Sequence, residues 1–148
     1  MQPGAPGAVP DSDAVNFRLD PRLAADTLPV LDLALCTVRL MNDARYPWLV
    51  LVPMRADAVE IHALETADRA VLAEETVRAA AALAGHAPGH KINIGALGNI
   101  VRQLHVHVVA RKEGDAAWPG PVWGKGAAVP YRAAEADRIV AALGRLLA

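Results

Sequence analysis

Cysteine occurs once in these 148 residues, as Cys36, and aromatic residues of every kind make up only 4% of the chain. One thiol excludes an internal disulfide and a cysteine-built metal cage, so a reducing, cytoplasmic setting is expected. An excess of one charge is also missing. Fifteen Lys and Arg face sixteen Asp and Glu, a formal charge of -1, which gives no whole-surface attraction to nucleic acid or to an anionic membrane. Neither is expected as a partner, and a phosphate ligand has to be bound locally. Long apolar runs are lacking too: residues 48–54 and 79–84 fall well short of the ~20 that span a bilayer. The first residues carry Pro3, Pro6 and Pro10 without a basic start and apolar block, so no secretion signal is read there.

What remains is enough for one domain, since a chain of this size buries roughly 70% of its unfolded surface. Residues 1–16 have little large and apolar to bury and read as a disordered tail. Residues 17–125 form the expected domain and residues 126–148 an extension with a helix. Asp20-Pro21 opens a short helix running towards Leu28, with Asp as N-cap and Pro in the first turn. Residues 31–41 alternate Leu31, Leu33 and Leu35 against Asp32, Ala34 and Cys36, a strand pattern. Asn42-Asp43 supplies a turn and residues 48–52 a second, apolar strand, making an antiparallel hairpin. Thr66 as N-cap, the stripe Leu72, Thr76, Ala79, Leu83 and a terminating Gly85 predict a long helix. Residues 91–94 read as a short strand, 95–99 as a turn, 100–110 as a long strand, and 131–147 as a helix with Ile139, Leu143, Leu146 and Leu147 on one face. No internal repeat is found.

Alternation along residues 100–110 puts Gln103, His105, His107 and Val109 on one face and Leu104, Val106, Val108 and Ala110 on the other. The apolar row belongs on a core. The polar row admits three readings: the solvated face of an antiparallel sheet, a metal site built on His105 and His107 that needs a third ligand, or a nucleophile site. The preceding segment favours the third. Asn93-Ile94-Gly95-Ala96-Leu97-Gly98-Asn99-Ile100 packs two glycines and two Asn amides into a turn able to aim backbone N–H groups at an anion. Phosphate donors beside an imidazole are the pairing that nucleotidyl transfer needs.

Asn93-x-Gly95-x-x-Gly98-Asn99-x-Val101-x-Gln103-x-His105-x-His107 resembles the signature of the histidine triad (HIT) family, whose core motif is His-x-His-x-His-x-x with apolar residues at x. The likeness is close over residues 93–109, extends back through residues 33–53, and takes in Trp118-Pro119. It implies an α+β fold, an antiparallel sheet with one long packed helix and a C-terminal helix. It also implies a homodimeric nucleotide hydrolase or transferase. By the same resemblance His105, the middle triad position, is the nucleophile that forms a nucleotidyl-histidine intermediate at the α-phosphate, and His107 contacts the phosphate and supports it. Asn93, Gly98, Asn99 and Ile100 match the phosphate-holding positions, and Asn42 or Asp43 the acidic ribose-contacting one. Leu33, Leu40 and Trp48 are candidate walls of a base pocket or plain core.

Beside the resemblance stands a physical case for His105. Its imidazole is available neutral at pH 7, and a backbone carbonyl on Nδ1–H would fix the Nε2 lone pair outward. Neither metal nor cofactor is called for, because N–H groups, amides and a histidine can stabilise the phosphoryl oxygens. The departures are as informative. Gln103 stands in place of the first triad histidine, and an amide cannot exchange a proton near neutral pH. Trp48 stands where many relatives have another histidine. Leaving-group protonation therefore lacks a carrier, which favours substrates with good leaving groups and raises a second reading, a nucleotide-binding sensor with weak turnover. Residues 118–123 serve an interface, cap the site or cover the core. Arg111 and Lys112 either hold anionic substrate or solubilise a strand end.

Overall fold

The computed structural model describes residues 16–148; the tail expectation for residues 1–16 falls, except for Asn16, outside the described residues. A five-stranded sheet organises the chain, with β1 (Thr27–Asp32), β2 (Cys36–Met41), β3 (Trp48–Pro53), β4 (Lys91–Gly95) and β5 (Val106–Arg111) in the order β1-β2-β3-β5-β4. Every neighbouring pair is antiparallel. Among the described residues three α-helices accompany it, α1 (Pro21–Asp26), α2 (Thr66–His86) and α3 (Ala133–Leu147), with one short 3-10 turn at Ile61–Ala63. This is the α+β architecture expected.

The sheet is covered on both faces, which is why β3 and β5 are buried along their whole length. Val38, Leu40, Leu49, Leu51, Val106 and Val108 face Leu83 of α2 and Leu143 of α3. Tyr46, Trp48, Val50, Val52 and Val109 form a second apolar group on the other side, closed by Val122. Leu143 and Leu147 lie in the first core, and Arg78 of α2 donates to the Leu147 carbonyl at 2.6 Å, so the helix of the expected 126–148 extension packs into the same body as the sheet. None of the described helices is long and apolar enough to cross a membrane.

Four local expectations are corrected. The strand expected over residues 31–41 is two, β1 and β2, folded back at Leu33 to Leu35. The amides of Leu35 and Cys36 donate to the buried Glu75 carboxylate of α2 rather than to a strand partner, an interaction 40 residues away that alternation cannot register. Thr66 is the first helical residue, not the cap; Glu65 holds the N-cap place without a side-chain bond. Gly85 sits inside α2, where an added Cβ would stand 3.8 Å from the Leu146 side chain of α3, so packing against α3 carries the helix past it. The long histidine strand shortens most. β5 begins only at Val106, since the Leu104 amide donates to the Ala58 carbonyl and the Gln103 side chain is drawn to the N-terminal segment.

Candidate functional site

His105 lies immediately before β5 and His107 one residue inside it, 7% and 5% exposed. The Nδ1 of His105 lies 2.7 Å from the Gln103 carbonyl oxygen. A carbonyl only accepts, so Nδ1 carries the proton and Nε2 the lone pair. His107 holds the opposite tautomer. Its Nδ1 accepts from the indole N–H of Trp48 at 3.0 Å, and indole only donates, so the His107 proton sits on Nε2. The two rings meet edge to face with centroids 4.9 Å apart. Burial, reinforced by the charge His105 can carry, pushes the His107 pKa down to about 4, because a desolvated imidazolium is disfavoured.

Register explains the pairing of Trp48 with His107. Trp48 is opposite Val109 and Val50 opposite His107, so the indole is the diagonal neighbour of the imidazole on one face of the sheet, within reach of a long side chain. Trp123 also packs on His107, edge to face with centroids 5.4 Å apart. Its ring needs Gly95, where an added Cβ would lie 2.8 Å from the indole Cη2.

These rings open onto a cavity of about 810 Å³, within the range of small-ligand sites. Gly98, Asn99, Ile100, Asn42 and Asp43 line it with His105 and His107, so seven of the nine sequence-selected residues meet there. Gly98 is held at φ +68°, a conformation that favours glycine. Of the lining residues, Asp43 is occupied. Its carboxylate accepts from the amide and guanidinium of Arg45 and from the Val129 amide. Burial tends to raise its pKa, yet these bonds outweigh it and hold the carboxyl below its ordinary value. The Asn42 side chain accepts at Oδ1 from the Tyr131 amide at 2.9 Å.

Two selected residues lie outside the cavity lining. Gln103 donates from Nε2 to the Arg18 carbonyl and accepts the Asp20 amide at Oε1, both at 2.8 Å. Its side chain thus fastens the segment leading into α1, and only its main-chain carbonyl serves His105. Asn93 accepts at Oδ1 from Arg111 at 3.0 Å. Arg111, 1% exposed, is neither substrate-holding nor solubilising: it forms a two-bonded ion pair with Asp115 at 2.7 and 2.9 Å. That bond pulls the Asp115 pKa down to about 2. Leu40 is core, and Leu33 packs against it. Trp48 alone of the three candidate walls reaches the cavity. Trp118 leans over Arg111 while Trp123 lines the site. No group of three or more His, Cys, Asp or Glu side chains able to hold a metal ion occurs among the described residues.

Sequence reasoning missed two walls. Arg22 and Asp26 of α1 form one. The other is the stretch from Gly124 to Pro130, tied to the β2–β3 turn by Arg45 donating to the Lys125 carbonyl and by the Ala44 amide donating to the Val129 carbonyl. Gly124 and Gly126, both at positive φ, were the visible signal for an ordered, tightly turned wall.

The pattern of the HIT domain matches residues 22–114. The fold superposes on a histidine triad protein from Sinorhizobium meliloti 1021 with 53% identity and a TM-score of 0.87, covering 89% of this chain and 98% of that one. A histidine triad protein from Bradyrhizobium japonicum gives 46% identity and the same score and coverage. One from Marinobacter aquaeolei VT8 gives 43%, a TM-score of 0.86, and 88% and 96% coverage. No curated protein matches the chain. With the glycine turn, the two histidines and this agreement over most of its length, the chain belongs to the histidine triad family.

Proposed function

We propose that the protein is a nucleotidyl hydrolase or transferase acting at the α-phosphate of a nucleotide conjugate through a covalent intermediate on His105. The observation that carries this reading is the bond from His105 Nδ1 to the Gln103 carbonyl, which leaves an unprotonated Nε2 on a buried ring lining the cavity beside Gly98 and Asn99. Nε2 attacks phosphorus and the bond to the leaving group breaks, the electron pair departing with that group. The proton stays on Nδ1, hydrogen-bonded to the Gln103 carbonyl, which supports the charge the ring acquires. Water or another acceptor then displaces Nε2 and loses its proton to solvent. Backbone N–H groups of the 98–100 turn and the Nε2–H of His107 face the phosphoryl oxygens.

Incubation with an α-labelled dinucleoside polyphosphate or adenosine phosphoramidate tests this. Acid-labile label on the wild type, absent from His105→Ala, supports the intermediate; hydrolysis unchanged in His105→Ala overturns it. The second reading, a sensor that binds nucleotide with little turnover, draws on the Gln103 side chain, bonded to Arg18 and Asp20 and unable to carry a proton. Saturable binding without label identifies it. As a cytoplasmic homodimer, the expected state, the protein would join through the edge strand β4 and the following turn, where Ile94, Leu97 and Ile100 are exposed. Light scattering in solution checks that.

A further inference from the structure

We propose that Trp48 is a positioning residue that locks His107 as a neutral donor at Nε2, so that the site favours leaving groups able to depart without a proton from the protein. The inference rests on the reading of His105 as nucleophile and narrows its substrate class to mixed anhydrides, phosphate or carboxylate joined to the nucleotide α-phosphate, over phosphoramidates of alkylamines.

The argument is one of proton inventory. A general acid at this site must be an imidazolium or an imidazole that can pass its proton on and recover it. His105 holds its proton on Nδ1, turned to the Gln103 carbonyl. His107 cannot take a second proton while the Trp48 indole fills the Nδ1 lone pair, because two N–H groups would then point at one another. Nor can it give up the Nε2 proton, which would leave a buried imidazolate. The groups packed around His107 are uncharged: Trp48 and Val50 from β3, Gly95 from β4, and Trp123. His105 is the titratable group in direct ring contact. The charged side chains sharing the cavity are Arg22, Asp26, Asp43 and Arg45, the last two paired with each other at 2.8 Å. Gln103, the remaining candidate, does not line the cavity and is not an acid.

A leaving phosphate or carboxylate is stable as an anion near neutral pH and needs no proton. An alkylamine or alkoxide is not, and a missing general acid costs such substrates on the order of 10²–10⁴ in rate.

Nitrogen-15 NMR of the histidine rings tests the lock directly. In the wild type His107 is expected as the Nε2–H tautomer with no titration between pH 8 and 5.5. In Trp48→Phe, which keeps an aromatic ring but loses the donor, its tautomers should mix and its midpoint rise toward the ordinary value of about 6.5. Kinetics test the consequence. Across adenylate esters of graded leaving-group pKa, the wild type should show a steep fall in kcat/KM as the leaving group becomes more basic. Trp48→Phe at pH 6 should flatten it, raising poor leaving groups relative to good ones by about tenfold or more. A wild-type His107 that carries its proton on Nδ1, or titrates near pH 6, overturns the lock without recourse to any variant. A shallow wild-type dependence overturns the selectivity. A tautomer as expected in a protein that never labels at His105 leaves the lock standing and removes the nucleophile reading beneath the selectivity.

Discussion

The side-chain amide of Gln103 spans the gap between the histidine segment and the residues leading into α1, donating to the Arg18 carbonyl and accepting the Asp20 amide at 2.8 Å each. Helix α1 forms one wall of the cavity, so this residue acts on the site from a distance. Gln103→Ala is expected to cost about 1–2 kcal/mol of stability, from one partly buried and one exposed hydrogen bond. It should raise KM several-fold while leaving covalent labelling of His105 intact, because the bond that orients His105 uses the Gln103 main chain. Gln103→His, which rebuilds the family's triad on paper, should not restore rates for basic leaving groups, since the new ring would meet residues 18–20 rather than the cavity. Denaturant titration and steady-state kinetics on both variants check these outcomes.

His107 makes the fold sensitive to acid. Its folded pKa of about 4 lies below the unfolded value near 6.5, so between those limits the unfolded chain binds the extra proton and stability rises with pH. The contribution is present in full above about pH 6.5, falls as pH drops, and is gone below about pH 4. The loss is on the order of 3 kcal/mol. Comparing urea midpoints at pH 7, 5.5 and 4.5 for wild type and His107→Asn isolates it: the gap between the two proteins should narrow as pH falls. A constant gap would mean that His107 does not exchange its proton on unfolding.

Such features mark the boundary of what the amino-acid sequence discloses. Alternation placed Leu104, Val106, Val108 and Ala110 on a core, and they are in one, because a period of two follows from strand geometry wherever one face is buried. The same alternation carried the strand back to residue 100, but ahead of β5 Leu104 bonds to Ala58 and Gln103 to the 18–20 segment instead. Those partners lie tens of residues away, and no local pattern encodes them. Asp43 and Arg111 show the matching difficulty for charges. Each was a candidate ligand group by type and position, yet Asp43 spends its carboxylate on Arg45 and Val129, and Arg111 its guanidinium on Asp115 and Asn93. Whether a charge faces ligand or protein depends on register, and so did the bond from Trp48 to His107.

Glu75 is the clearest case of a charge spent on the fold. It is 2% exposed and accepts the Leu35 amide at 3.0 Å and the Cys36 amide at 2.7 Å, fixing the turn between β1 and β2. Glu75→Ala leaves two buried amides without partners and should destabilise the protein by about 3–5 kcal/mol. Glu75→Gln retains an acceptor and should cost less than half of that. The adjacent Cys36 thiol has its pKa pushed well up, first by burial and then by the Glu75 carboxylate, so it should resist a thiol reagent in the native state and react at the rate of global unfolding. Chemical denaturation and timed labelling in low urea measure both.

Gly95 offers a test of how far the cavity depends on Trp123. The residue closes β4, its backbone is not at positive φ, and the obstacle to a side chain is the indole ring 2.8 Å from where a Cβ would stand. Gly95→Ala therefore has to displace Trp123, at about 1–3 kcal/mol for overpacking, and with it the ring that packs on His107 at 5.4 Å. Nucleotide affinity should fall by about tenfold and tryptophan fluorescence should shift to the red as the indole gains water, while the far-ultraviolet dichroism stays that of the wild type. Pairing the change with Trp123→Leu, which removes the clashing atoms, should recover most of the lost stability but not the affinity. Recovery of both would show that the indole serves only to fill space, and loss of neither in Gly95→Ala would show that the β4 edge yields before the ring does.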